Sequence, residues 1–187
     1  MSLIGSRIES FQLRGFHENQ FVDISEKDLE GSWSVLFFYP ADFTFVCPTE
    51  LGDLADNYPE FLEAETEIYA ISTDTHETHL AWHGSSAMVG RVQFPMLSDP
   101  TGAVCRAFDV MIEDLGRADR ATFVIDPSGI VQVVEISADG IGRSAAELLR
   151  KLKAAQHVRD NPDQVCPANW VVGDEALVPG ADLVGRL

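Results

Sequence analysis

The stretch that most limits how this chain can fold is Trp33-Ser34-Val35-Leu36-Phe37-Phe38-Tyr39, an almost unbroken apolar run of strand length. Such a run needs cover on both faces, which a central strand between helical layers has. It stops at Pro40. A helical pattern follows, with Leu51, Leu54, Ala55 and Tyr58 at i, i+3, i+4 and i+7. The segment between them, Pro40 to Glu50, therefore reads as the loop from a buried strand into a helix. Cys47 lies where that helix starts, and Pro48 suits a first turn, where a missing N–H costs nothing. A thiol at a helix start faces unpaired backbone N–H groups and the positive end of the helix dipole, and both favour thiolate. Local physics alone thus makes Cys47 a candidate nucleophile.

The other elements follow in order. Phe11 and Leu13, then Phe21, Val22 and Ile24, flank a polar turn from His17 to Gln20 and predict an N-terminal hairpin. Ser25 with Asp28 predicts one capped helical turn before Gly31. The helix after Cys47 is predicted to run to about Glu65, with a kink or break at Pro59. Glu67 to Ser72 reads as a strand, and Asp74 to about Met88 as a helix capped by Asp74 or Thr75. A short strand is predicted at Phe94 to Leu97, and a short helix at Ala103 to Phe108. Ala121 to Ile125 is a further buried strand, turned at Asp126-Pro127-Ser128-Gly129 into a hairpin with Ile130 to Ile136. Ser144 caps an amphipathic helix bearing Ala145, Leu148, Leu149 and Leu152 on one face. This order predicts an α/β, thioredoxin-like fold, a mixed sheet with helices on both faces. The chain is expected to form one thioredoxin-like domain over residues 1–159 and a Pro- and Gly-rich tail over 160–187.

Charge and cysteine usage narrow the function. With 13 Lys and Arg against 30 Asp and Glu, the formal charge is −17, which repels nucleic acid and anionic membranes. No apolar run is long enough to span a bilayer, and Met1 to Arg14 has polar and charged residues where a secretory core would be. A cytoplasmic location is expected. Three cysteines in a reducing compartment do not suggest a disulfide framework, and one of them in a loaded position suggests redox chemistry. Cys105, among Val104, Ala107 and Phe108, reads as a packed core thiol. His76, His79 and His83 recur at i, i+3 and i+7, which favours a partly exposed interface face over a metal patch. No metal and no cofactor are expected. Trp82 and Trp170 are most simply packing residues, with a pocket wall or a tail anchor as further roles.

The residues also carry a family resemblance. Pro40-x-x-x-Thr44-x-x-Cys47 resembles the peroxiredoxin active-site motif, and the surrounding Phe38 to Glu50 resembles the typical two-cysteine branch. Ser72 to His76, Asp119 to Asp126, Val165 to Trp170 and Asp182 to Gly185 resemble the bacterial alkyl hydroperoxide reductase type of that branch. The resemblance implies a thiol peroxidase acting on hydrogen peroxide and organic hydroperoxides. It implies Cys47 as the peroxidatic thiol and Cys166 as the resolving thiol, acting on Cys47 of a partner subunit. It places Arg120 near the Cys47 sulfur, whereas an isolated Arg beginning a strand would read as a surface cap. It has Thr44 and Pro40 lining the pocket, and Glu50 and Arg143 holding the arginines in place. It further implies a homodimer, closing into a ring of five dimers as is the family's habit, and reduction by a flavoprotein disulfide reductase or by thioredoxin.

The chemistry agrees. Cleaving O–O needs a thiolate, donors for both oxygens, and a thiol to trap the sulfenic acid. Helix start, Thr44, Arg120 and Cys166 meet those needs. Two rival readings remain: a dithiol oxidoreductase, which would need Cys-x-x-Cys where Cys47 is followed by Pro48-Thr49-Glu50, and a holdase chaperone as a second activity. The chain departs from its relatives at Glu77, where an aromatic is usual at the contact between dimers. A carboxylate there weakens apolar packing and makes the ring less secure than the dimer, with the nearby histidines available to pair with it. Asp114-Leu115-Gly116-Arg117 replaces the Gly-Gly-Leu-Gly of overoxidation-sensitive members, and no Tyr-Phe helix follows. Both departures imply a tail that is free to move and a Cys47 that resists overoxidation.

Overall fold

The structure, a computed structural model, describes residues 3–185. Strands β1 (Gln12–His17) and β2 (Gln20–Ser25) form the expected hairpin, turning through Glu18 and Asn19, both at positive φ. Asp28 then accepts from the N–H and the hydroxyl of Ser25 at 2.7 and 2.8 Å, closing one helical turn. The chain continues through β3 (Trp33–Phe38), α1 (Cys47–Glu63), β4 (Thr66–Ser72), α2 (His76–Ser85), β5 (Met96–Ser98) and α3 (Ala103–Ala107). Two short strands, β6 (Met111–Ile112) and β7 (Arg117–Ala118), precede β8 (Arg120–Ile125), β9 (Val131–Ser137) and α4 (Ala145–Asp160).

Seven strands form one mixed sheet in the order β2-β1-β5-β4-β3-β8-β9. β3 runs parallel to β4 and antiparallel to β8, so it lies inside the sheet with a neighbour on each side. All six of its residues are buried, as are all six of β8. Alternation sorts their side chains. Leu36 and Phe38 of β3, and Ala121, Phe123 and Ile125 of β8, share a cluster with Val104 and Cys105 of α3. Phe37 points to the other face, as do its register partner Thr122 and Arg120 two residues before it. The cluster carries much of the fold, since truncating a buried Phe to Ala typically costs about 3–5 kcal/mol.

Two expectations change, and two strands are added. α1 runs unbroken through Pro59, because Leu51, Leu54, Tyr58 and Phe61 are all buried along it and outweigh one missing backbone bond. α2 stops at Ser85, where its cap switches to extended backbone, with a separate turn at Val89–Arg91. Thr75 does cap it, accepting from the Thr78 N–H at 3.4 Å. The strands β6 and β7 were not legible, being two residues each.

The chain divides into two compact units, a larger one ending at Ala145 and a smaller one that starts at Ala146. In the smaller unit the segment after α4 is tied down rather than formless. Val165 and Leu177 exchange backbone bonds at 2.8 and 3.0 Å. Trp170 is buried, its ring 4.7 Å from that of His157, its carbonyl accepting from Arg150 at 3.1 Å and its indole N–H donating to the Asp174 carbonyl at 3.2 Å. An apolar ring with one satisfied N–H anchors a chain that has few other apolar residues to bury.

Candidate active site

The loop from β3 brings Cys47 to the first turn of α1. Pro40 is buried at the end of β3, directly after Tyr39, whose N–H donates to the Ile71 carbonyl at 3.0 Å. The Thr49 and Glu50 N–H groups both converge on the Val46 carbonyl, at 3.0 and 3.2 Å, and start the helix. Val46 in the capping position offers no side-chain acceptor. The positive end of α1 is therefore left to Cys47, whose side chain is wholly buried.

Arg120 reaches this sulfur from the first position of β8. Its Nη1 donates to Cys47 Sγ at 3.3 Å and to Glu50 Oε2 at 2.8 Å. Its Nε donates to the Asp139 carbonyl at 2.6 Å, and its Nη2 lies 3.5 Å from the Asp139 carboxylate. Arg143 completes the group. Its backbone N–H and Nε donate to Glu50 Oε1 at 2.8 and 2.9 Å, its Nη2 to Glu50 Oε2 at 3.1 Å, and its Nη1 to the Thr122 hydroxyl at 3.0 Å. The Arg143 guanidinium lies 3.5 Å above the Phe37 ring, a cation–π contact in a desolvated setting.

Among the buried groups, one carboxylate faces two guanidinium groups, while the exposed Asp139 carboxylate, 3.5 Å from Arg120 and shared with Arg117, offsets the second only in part through solvent screening. A thiolate at Cys47 would complete the balance inside. Burial pulls the Arg143 guanidinium below its ordinary value, and Glu50 opposes that pull. For Arg120, burial also pulls down, but the hydrogen bond and charge of Cys47, with those of Glu50, win and raise it. The Arg143 fork and the single Arg120 Nη1 bond meet on one carboxylate, and Asp139 holds the other side of Arg120, which fixes both arginines in orientation.

Cys47, Arg120, Glu50 and Arg143 are thus brought together as expected. Thr44 and Pro40 are brought to the same loop. The Thr44 hydroxyl donates to the Ala41 carbonyl at 2.9 Å, which holds the loop turn and leaves the oxygen's lone pairs for another donor. Cys166 belongs to the smaller unit. It is half-buried there, 3.8 Å from the Ala154 carbonyl, and burial raises its thiol above the ordinary value against the opposing charge of Arg150. Cys105 is buried in the core, where burial and then the Asp99 charge push its thiol far up, as suits an inert packed thiol. Among the described residues no group of three or more His, Cys, Asp or Glu side chains is placed to hold a metal ion, and no helix is long and apolar enough to cross a membrane.

The expected partly exposed histidine face keeps His76 and His83 but loses His79. His79 is fully buried, with Nδ1 2.8 Å from Asp42 Oδ2 and Nε2 3.2 Å from the Leu97 carbonyl. His83 Nε2 lies 3.1 Å from the Val92 carbonyl. Only His76 keeps the expected pairing, 3.1 Å from Glu77. An inward-facing carbonyl and a carboxylate hold the one ring that spacing alone would leave outside. Sequence reasoning also missed Asp139, which sits in a loop with no pattern. Thr122 had a signal, the i, i+2 alternation with Arg120.

The fold and this cluster define a thiol-centred member of the thioredoxin-like class. Comparison with known proteins agrees. Residues 4–134 match the AhpC/TSA family, and residues 154–183 match the C-terminal domain of 1-Cys peroxiredoxin. The chain belongs to the AhpC/TSA family of peroxiredoxins. It is 57% identical over 187 residues to alkyl hydroperoxide reductase C of Escherichia coli strain K12, covering all of both chains. The crystal structure of Enterococcus faecalis AhpC matches with a TM-score of 0.87 at 44% identity, over 89% of this chain and 100% of that one. That of reduced Plasmodium vivax 2-Cys peroxiredoxin matches with a TM-score of 0.93 at 33% identity, over 97% and 96%.

Proposed function

We propose that this protein is a thiol-dependent peroxidase that reduces hydrogen peroxide and organic hydroperoxides. The observation that carries the reading is the Arg120 Nη1 to Cys47 Sγ contact of 3.3 Å at the open end of α1, inside a cluster whose buried guanidinium groups outnumber its buried carboxylate. The Cys47 thiolate attacks one peroxide oxygen. An S–O bond forms, O–O breaks, and the electron pair leaves with the second oxygen, which takes a proton to become alcohol or water. Arg120 and the Cys47 N–H at the open end of α1 hold the charge moving along O–O, and Pro40 and Thr44 border the substrate. The Cys166 thiol of a partner subunit then attacks the sulfenic sulfur, forming S–S and expelling water. Two electrons and two protons from a flavoprotein disulfide reductase or thioredoxin restore both thiols. Glu50 and Arg143 orient Arg120 throughout.

The segment 160–187 acts as the part that presents Cys166. The working unit is a homodimer in a reducing, cytoplasm-like compartment, and five such dimers close a ring whose contacts Glu77 weakens. The test is peroxide consumption by Cys47→Ser against the wild type, supplying thioredoxin or the flavoprotein in turn. The expected result is no turnover. Retained turnover would overturn the assignment of Cys47.

A further inference from the structure

The loop that carries Cys47 has little burial of its own. Phe43 and Phe45 are exposed, and Phe43 sits at φ 54, a left-handed conformation that costs a bulky residue energy. Among its polar ties to the body of the fold, those of Asp42 are the densest. Asp42 is buried, and its N–H and both its carboxylate oxygens are taken. Its N–H donates to Asp74 Oδ2 at 2.8 Å, and Asp74 is itself fixed by the Ser72 hydroxyl at 2.9 Å. Asp42 Oδ1 accepts from the Tyr39 hydroxyl at 2.7 Å, and Oδ2 lies 2.8 Å from His79 Nδ1. The other His79 nitrogen faces the Leu97 carbonyl of β5. The Tyr39 hydroxyl also lies 3.4 Å from His79 Nδ1, closing a buried triangle. Burial, and then the charge of Asp42, hold the Tyr39 phenol well above its ordinary value, so it stays a donor. Trp82 lies over this group, 6.2 Å from the Tyr39 ring and 5.9 Å from that of Phe43.

We propose that the Asp42–His79–Tyr39 network is a latch, with Asp42 and His79 as positioning residues that set how long the Cys47 loop stays folded. The proposal rests on the peroxidase reading for its consequence, not for its structural content. The two demands on Cys47 conflict. Attack on peroxide uses the folded loop, where Arg120 touches the sulfur. Joining a second sulfur needs Cys47, wholly buried here, to leave that place. Anything that holds the loop favours the first step and slows the second. None of the three latch residues touches the Cys47 sulfur, and Asp42 and His79 lie 37 positions apart in sequence. A fully buried carboxylate–imidazole contact is costly to break, because opening leaves both groups without partners.

The test uses the whole reduced protein with His79→Gln, Asp42→Asn and Tyr39→Phe. Amide hydrogen exchange is read over residues 40–51, with β8 (120–125) as the reference segment. The expected result is exchange faster by roughly tenfold or more in the loop for the first two variants, less for Tyr39→Phe, and unchanged in β8. Equal loop exchange in all four proteins, or a rise in β8 as large as in the loop, would overturn the latch. This readout involves no peroxide, so it stands apart from the peroxidase assignment. Rapid mixing with hydrogen peroxide then reads function through Trp82 fluorescence. Sulfenic acid formation should slow and disulfide formation quicken in the same variants. A merely structural defect would slow both, and that result would also overturn the proposal.

Discussion

Replacing Glu50 by Gln tests the electrostatic core of the site. The change keeps the side-chain volume and removes one charge. Glu50 accepts four hydrogen bonds, one from Arg120 and three from Arg143. Both guanidinium groups and the carboxylate are almost fully buried, at 3% and 1% side-chain exposure. A neutral amide can still accept through one oxygen, but its NH2 end would point at a guanidinium. Removing one partner of a buried ion pair costs about 3–5 kcal/mol, because the remaining charge stays desolvated. The retained acceptor puts Glu50→Gln near the low end, about 3 kcal/mol. For a domain of this size that lowers Tm by roughly 6–12 °C. The matched control is Asp56→Asn, which breaks the 2.6 Å pair with Arg91 on the surface, where both side chains are about half exposed. Its cost is expected to be about 0.5 kcal/mol or less, since water already solvates both groups. The assay is thermal unfolding of the reduced proteins at one fixed protein concentration. If Glu50→Gln lowers Tm no more than Asp56→Asn does, the cluster is not a buried electrostatic unit and the charge argument for Cys47 fails.

Three further outcomes are expected. Arg120→Ala should slow the attack on peroxide by about a hundredfold, the usual scale for losing one donor to a developing anion, as read by stopped-flow mixing; an unchanged rate would make Arg120 structural only. Cys105→Ser should leave peroxide turnover within about twofold of wild type, because the thiol is core-bound and held protonated by burial and Asp99; lost turnover with a normal Tm would reassign it. Disulfide formation should quicken as pH rises through and above the ordinary thiol range, because burial raises the Cys166 thiol and its thiolate is the attacking form; a rate that is flat or falls over that range, in single-turnover mixing, would count against Cys166 as the attacking thiol.

How much of this was legible depends on how each feature is written in the chain. β3 and β8 were plain because burial on both faces demands a continuous apolar run. The caps at Ser25 and Thr75 were plain because capping acts over three residues. Of the kink or break expected at Pro59, the break does not occur, because a local rule about one backbone bond met four buried side chains on the same helix. His79 was misplaced for a related reason. Its spacing with His76 and His83 is local, whereas its partners, Asp42 and Leu97, lie on other elements. The grip of Glu50 on Arg143 spans 93 positions and left no trace in spacing; only the family resemblance pointed to it. Cys47 itself was legible from local physics, since a helix start is local.

These differences in legibility follow the division of labour in the site. The sulfur's environment comes from α1, β8 and the 139–143 loop, elements fixed by the sheet's core. The loop's hold comes from the other side, through α2, β5 and the end of β4. Cys47 therefore sits between two sets of bonds that share no residue. One set acts on the charge at sulfur, and the other on the position of the backbone that carries it. A change in Glu50 or Arg120 alters how the sulfur reacts while leaving the Asp42 anchor bonded. A change in His79 alters how long the sulfur stays in place while leaving both arginines on Glu50. The two sets still meet at Cys47, because loosening the loop also takes the sulfur away from Arg120: changes at Glu50 act on reactivity with the loop held, whereas changes at His79 move attack and release in opposite directions.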